Sequence, residues 1–279
     1  MTDEERKNNA PRYLIIPAAG LGTRMRAVNP DLPKELLPLG YKPAIQYTVE
    51  EGFSAGIRNI IIIISKQKEV IRQYFEDKNV RERLYPLAHE EVEEINDKCS
   101  LTFLYQKELL GESDAIGYAK DIVGNNAVAV MYPDNLYMPA PGAMKILKPV
   151  FNKYNTDVIA LSNVSEEISQ TISNAGRVDI QHLKDDVYHI HKLYKKSRDH
   201  FIPRFDGEMR ACGAYISGHH IFEYIEKAKA MVKEGEITDT PVRSLVLKEK
   251  GLLGCRLPGT VFDIGNPEGY ELCLKKIKS

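Results

Sequence analysis

Five consecutive isoleucines, Ile60 to Ile64, constrain this chain more than any other feature. β-Branched side chains favour extended backbone. A strand with apolar residues at every position has no side to offer water, so it must be covered on both faces, as in a parallel sheet packed between helices. The neighbouring sequence agrees. Ahead of the isoleucines, "PAIQYTVEEGFSAGI" carries Ile45, Val49 and Phe53 at helical spacing and stops near Gly56. Earlier still, "RYLIIPA", Arg12 to Ala18, is a short apolar run that ends in a glycine turn.

The alternation continues downstream. Lys68 to Tyr85 is polar with helical periodicity, and "HEEVEEINDK" reads as the end of an exposed helical stretch. Leu101 to Gln106 is the next strand, "GESDAIGYAKDIV" turns helical, "AVAVMYPD" is a buried strand ending in Asp134, "GAMKILKPVFNKY" is helical and "DVIALS" is again a strand. Strands alternating with helices predict right-handed βαβ units and a mostly parallel sheet with helices on both faces. After Ser162 the pattern changes. "AGRVDIQ" and "DVYHIHKLY" flank a "HLKD" turn as an antiparallel hairpin, "MRACGAYIS" is a strand, and "HIFEYIEKAKAMV" and "PVRSLVLKEK" are helices. The strand "LLGCRLPG" leads to a last loop and helix. The expected organisation is a Rossmann-like α/β fold over 13–279 as one domain, with an antiparallel insertion in its second half, after a loose charged tail at 1–12.

Composition narrows the function classes. Net charge is −1, with 43% apolar and 28% charged residues, and no basic block supports a nucleic-acid or anionic-membrane partner. The aliphatic run Ile60–Ile64 is too short to span a bilayer. Cys99, Cys212, Cys255 and Cys273 form no CxxC pair, so reduced thiols in a cytoplasmic protein are expected. His89 and Glu90 begin a zinc-protease string, but Glu93 stands where its second histidine belongs. His189 and His191 share a strand face and read as an ordinary surface pair.

The stretch "PAAGLGTRMRAVNPDLPKELLPLG", Pro17 to Gly40, carries the chemistry. Glycines between a strand and a helix let backbone N–H groups approach a phosphate. Two familiar phosphate loops are excluded. The dinucleotide fingerprint needs a third glycine where Met25 stands, and no G-x-x-x-x-G-K-[ST] string exists. Arg24 and Lys34 flank the turn with positive charge and suit a triphosphate.

"AAGLGTRM" with "PKELLPLGYKPAIQY" resembles the nucleotide-binding signature of sugar-1-phosphate nucleotidyltransferases. Within that superfamily the chain is most similar to bacterial UTP–glucose-1-phosphate uridylyltransferases, over nearly its whole length. The resemblance implies that Ala18, Ala19, Gly20, Gly22 and Thr23 meet nucleobase and phosphates, that Arg24 contacts the β- and γ-phosphates and Lys34 the phosphates at the reacting centre, and that Gln106 and Gly111 read the base edge. It implies a catalytic role for Asp134 in "YPDNLY", and a Mg²⁺ site shared by Asp134 and Asp263 of "FDIGNPEGY". At the sugar end it implies Gly176 near the hexose, His191 where relatives keep a glutamate, and Lys192 on the sugar phosphate.

Three departures accompany the match. "GESDA" replaces Gly-Leu-Gly-His-Ala, "AVNP" replaces P-x-T-K, and "HKL" replaces Glu-Lys-Pro. Imidazole cannot reproduce the two-oxygen acceptor of a carboxylate, so the His191 assignment implies weak glucose 1-phosphate binding or another sugar, with Glu236 and Asp239 as the next sugar-reading candidates. The leading expectation is a Mg²⁺-dependent transfer from UTP to glucose 1-phosphate by direct in-line attack. A thymidylyl or cytidylyl transferase on another sugar phosphate, and a non-catalytic nucleotide-sugar sensor, stay open at this point, as does assembly into a homo-oligomer.

Overall fold

The computed structural model describes residues 10–140, 142–197, 199–232 and 235–278. Of the tail expected at 1–12, residues 1–9 lie outside the described residues; Arg12 donates its amide to Ala127 O at 3.4 Å.

The first half builds β1 (Tyr13–Pro17), the two-residue β2 (Pro38–Leu39) and β3 (Lys42–Pro43), then β4 (Asn59–Ile64), β5 (Ser100–Tyr105), β6 (Val128–Met131) and β7 (Asn135–Met138). The second half adds β8 (Val158–Asn163), β9 (Val178–Lys184), β10 (Val187–Leu193), β11 (Met209–Ser217), β12 (Leu253–Arg256) and β13 (Thr260–Asp263). Nine of these form one sheet in the order β5-β4-β1-β6-β11-β8-β12-β10-β9. Only β11 and β10 run against the rest.

The isoleucines behave as their run demands. Ile60, Ile62 and Ile64 pack on one face with Leu14 and Ile16, against the helices Ala44–Ser54, Glu69–Glu76, His89–Lys98 and Ala143–Tyr154. Ile61 and Ile63 pack on the other with Ile15, against Glu112–Gly117, Ile221–Met231 and Asp239–Lys250. Every one of the five is at most 1% exposed, and each contributes roughly 1.5–3 kcal/mol of burial. The polar stretch after Lys68 is broken into two helices at Asp77, whose carboxylate caps the second by accepting from Asn79 N at 2.9 Å.

The predicted hairpin is present as β9 and β10, but its turn is Asp185–Asp186 rather than "HLKD". β9 runs on to Lys184, and Asp185 takes the left-handed turn conformation at φ 53°. The sequence does not announce the pairing of β13 with β7, which brings two cleft-lining residues together. Their antiparallel ladder sets Asp263 opposite Asn135.

Among the described residues, no helix is long and apolar enough to cross a membrane. The four cysteines are free, and three are buried. Burial pushes the Cys212 and Cys255 thiols up to about 11 and Cys273 to about 12, so none is primed as a nucleophile.

Candidate active site

β1, β5 and β6 end at the same edge of the sheet, where open α/β sheets bind their ligands. A cleft of about 480 Å³ opens there. The loop after β1 supplies its floor. The backbone N–H groups of Ala19, Gly20, Leu21 and Gly22 donate to nothing among the described residues, which leaves a row of open donors. Gly22 is required twice over. Its φ is +61°, and a methyl group there would press on Lys34 Cγ at 3.3 Å. Ala18 is different: its N–H is spent on Ile63 O at 2.7 Å and its carbonyl on Lys68 Nζ at 2.9 Å. It anchors the loop and does not line the cleft.

Lys68 also donates to both carboxylate oxygens of Glu35, at 2.8 and 2.7 Å, and both side chains are buried. This ion pair ties the segment that carries Lys34 to the phosphate loop. Neither partner is legible as a brace in the sequence, because each sits in an ordinary charged stretch.

Lys34 and the two aspartates come together. Lys34 Nζ donates to Asp134 Oδ2 at 2.6 Å, and Asn135 Nδ2 donates to the other oxygen at 2.9 Å. The β7–β13 ladder brings in Asp263: Ile264 N donates to Asp134 O at 2.8 Å and Gly265 N to Asp263 Oδ1 at 3.0 Å. A methyl group at Gly265 would stand 3.0 Å from Asp134 Oδ2 and 3.1 Å from Asp263 Oδ1. The two carboxylates therefore face one point.

Electrostatics pull these groups apart. Burial opposes charge on Lys34, but Asp134, Glu35 and Asp263 outweigh it and hold the ammonium above its usual range. Burial likewise opposes the Asp134 carboxylate, and Lys34 reverses that, holding it well below the usual carboxylate range. Asp263 has no such partner; burial and the Asp134 charge push it up, with Arg210 and Arg24 pulling back.

Of the other residues singled out by the sequence, Thr23, Arg24, Gln106, Gly111 and Gly176 also line the cleft, as do Glu236 and Asp239. Gln106 uses its side-chain nitrogen on Gly111 O at 3.1 Å and Asp114 Oδ2 at 2.8 Å. His191 and Lys192 are placed elsewhere, which corrects the position expected for them. Both are exposed on β10; His191 Nε2 meets Gln181 Oε1 at 3.1 Å, and Lys192 Nζ stands 4.4 Å from the Tyr194 ring centre. The cause is strand geometry. A register shift between Ile190 and Lys192 breaks the alternation, with Ile190 packed inward. The cleft instead receives Leu193, Tyr194 and Lys196 from the segment where β10 ends.

Glu112, which carries no signal of its own in the sequence, lines the cleft beside Asp239 and accepts from Asp239 N at 3.2 Å. Arg243 pairs with Asp239 at 2.8 Å and lies over the Tyr215 ring. Burial, and then the Asp239 charge, push the Glu112 carboxyl up to about 7. An unfolded glutamate releases its proton near pH 4.3, so between there and pH 7 the folded state holds the extra proton and stability falls as pH rises. Replacing Glu112 with Gln removes that slope. Chemical denaturation of Glu112→Gln and of the parent should therefore show the variant gaining relative stability from pH 5 to pH 8; parallel pH profiles would refute the burial account.

Open amides at parallel strand ends, a lysine and two converging carboxylates define an α/β protein that handles nucleotide phosphates. A family model described as "Nucleotidyl transferase" matches residues 13–277. The chain belongs to that family. It is similar to a UTP–glucose-1-phosphate uridylyltransferase of Bacillus subtilis, 30% identical over 264 residues that cover 92% of this chain and 86% of the relative. A uridylyltransferase of the same name from Pseudomonas aeruginosa is 27% identical, covering 92% of each chain. Among solved structures, a UDP-glucose pyrophosphorylase complexed with UDP-glucose superposes with a TM-score of 0.80 at 27% identity, over 96% of this chain and 98% of the other.

Proposed function

We propose that this protein transfers a uridylyl group from UTP to glucose 1-phosphate, releasing pyrophosphate and forming UDP-glucose. The observation that carries the reading is the convergence of Lys34, Asp134 and Asp263 beside a loop of open amides.

Each group has work in that reaction. The Ala19–Gly22 amides and Arg24 receive the β- and γ-phosphates. Lys34 neutralises charge that grows on the departing pyrophosphate. An oxygen of the sugar phosphate attacks the α-phosphorus. One P–O bond forms there as the bond to the β-phosphate bridge breaks, and the electron pair leaves on pyrophosphate. The sugar phosphate is already an anion, so no general base is required, and positioning with charge neutralisation supplies the catalysis.

Asp134 and Asp263 fit a divalent cation such as Mg²⁺. Hard carboxylate oxygens face one point, and Mg²⁺ commonly takes one or two carboxylates plus substrate phosphates. Among the described residues no group of three or more potential ligands is arranged for a metal, so the phosphates would complete the set. When bound, the ion would offset charge on the α-phosphate.

The base follows from Gln106. Its nitrogen is committed inward, which leaves its carbonyl to accept a hydrogen bond. Uracil and thymine present an N3–H donor; cytosine presents an acceptor there. The sugar expectation drawn from His191 loses its basis with that residue outside the cleft. Glu236, Asp239 and Glu112 supply carboxylate acceptors for hexose hydroxyls.

The test is pyrophosphate release with UTP, dTTP, CTP and ATP against glucose 1-phosphate. UTP should be used at least about a hundredfold better than CTP, since the mismatch leaves a buried carbonyl unpaired. Equal use of CTP would refute the Gln106 assignment. Release from no pair would return the chain to the sensor reading.

A further inference from the structure

Arg210 is a buried cation that makes no direct ion pair among the described residues. It stands near the start of β11 and is 4% exposed. Its Nη2 is sealed from solvent and has no hydrogen-bond partner. Other buried arginines are treated differently. Arg81 donates to Tyr74 O at 3.1 Å and Phe75 O at 2.9 Å, and Arg243, whose Nε and Nη2 also lack a hydrogen-bond partner, is at least ion-paired with Asp239. The half-buried Arg177 forks onto Glu208 at 2.8 and 2.9 Å. A guanidinium withdrawn from water and left unpaired is costly, and such a group calls for a reason.

Its surroundings supply one. Arg210 lines the cleft. The next residue, Ala211, donates its N–H to Gly176 O at 2.7 Å, which puts Arg210 on the same wall as Gly176. Its charge also acts on Asp263. It is carried by β11, whereas the open amides and Lys34 belong to the segments after β1. Lys196 lines the same cleft, where its charge acts on Glu112 and Asp134 without a direct ion pair among the described residues.

We propose that Arg210 grips the phosphate of the incoming sugar 1-phosphate, its planar guanidinium meeting two phosphate oxygens, with Lys196 as a second, more exposed cation. This assignment rests on the nucleotidyl-transfer reading and fills the role that the sequence suggested for Lys192. Arginine suits it because its fork matches phosphate geometry. The ligand supplies the direct ion pair that the guanidinium lacks, so the cost of the unpaired cation is relieved only when the sugar phosphate is in place.

The experiment compares the parent with Arg210→Met and Arg210→Lys. In Arg210→Met the KM for glucose 1-phosphate should rise about a hundredfold, as expected for a lost charge-assisted pair, while the KM for UTP stays within about twofold. Arg210→Lys should recover part of the loss. Thermal melting supplies a second readout. Free Arg210→Met should melt no lower than the parent, since it loses an unpaired buried charge, yet saturating glucose 1-phosphate should no longer raise its melting temperature. An unchanged KM for glucose 1-phosphate would overturn the assignment, as would a lower melting temperature with the ligand shift retained. If the parent releases no pyrophosphate from any pair, the transfer reading fails by itself, and the melting shift with glucose 1-phosphate still decides the role of Arg210.

Discussion

Asp263→Asn should lower turnover by about 10²–10³-fold while the protein stays folded, and Asp134→Asn should do the same. The size follows from their place. Both carboxylates face one point above Gly265; on the proposed reading a divalent cation held there would offset their charge against the α-phosphate. Losing one of two anionic ligands removes much of that charge and its positioning, and a single electrostatic contact to a transition state is worth about 10²–10³ in rate. The amide keeps the shape of the carboxylate, so the Gly265 N contact to position 263 survives. Asp134→Asn also releases Lys34 from its ion pair, so nucleotide binding should change more in that variant than in Asp263→Asn. Steady-state kinetics across a Mg²⁺ titration, with circular dichroism as the folding control, checks both. Full activity in either variant would remove that residue from the site.

Lys34→Ala is the second large effect. Turnover should fall about 10²–10³-fold, and nucleotide binding by no more than about tenfold. On the proposed reading the open amides of Ala19–Gly22 and the cleft-lining Arg24 would still hold the ground-state triphosphate, whereas the charge that grows on pyrophosphate during transfer would lose a cation. Lys34 is well placed to serve. Its ammonium is held charged by Asp134, Glu35 and Asp263 against the pull of burial, and its stem packs under Gly22. Equilibrium binding of UTP, measured alongside kcat, separates the two effects. A change confined to the KM for UTP would assign Lys34 to binding alone.

The sheet is legible in the sequence because burial on both faces leaves a local trace: five isoleucines read as a covered strand in any context. The phosphate loop and Asp134 are legible for a related reason, each lying directly after such a strand. Asp263 is visible only through the likeness of its loop to a known motif. What brings it to Asp134 is the ladder between β7 and β13, four residues each, and strands that short leave no periodic signal. His191 and Lys192 show the opposite failure. They are neighbours on β10, where regular alternation sends adjacent side chains to opposite faces, and with the register shift between Ile190 and Lys192 both are exposed. Lys68, Glu35, Glu112 and Arg210 cannot be found from sequence at all. A single charged residue reads as surface, and only packing shows that Lys68 closes on Glu35 and that Arg210 is buried without an ion pair among the described residues.

Direct transfer, as proposed, needs both substrates in this cleft. Isotope exchange tests it most directly: incubate the protein and Mg²⁺ with labelled pyrophosphate and UTP, with and without glucose 1-phosphate. Label should enter UTP only when glucose 1-phosphate is present, because the reverse reaction needs the UDP-sugar formed in the forward one. Exchange with UTP alone would show a nucleotidyl group held on the protein, and no exchange under either condition would show no transfer; each contradicts the account.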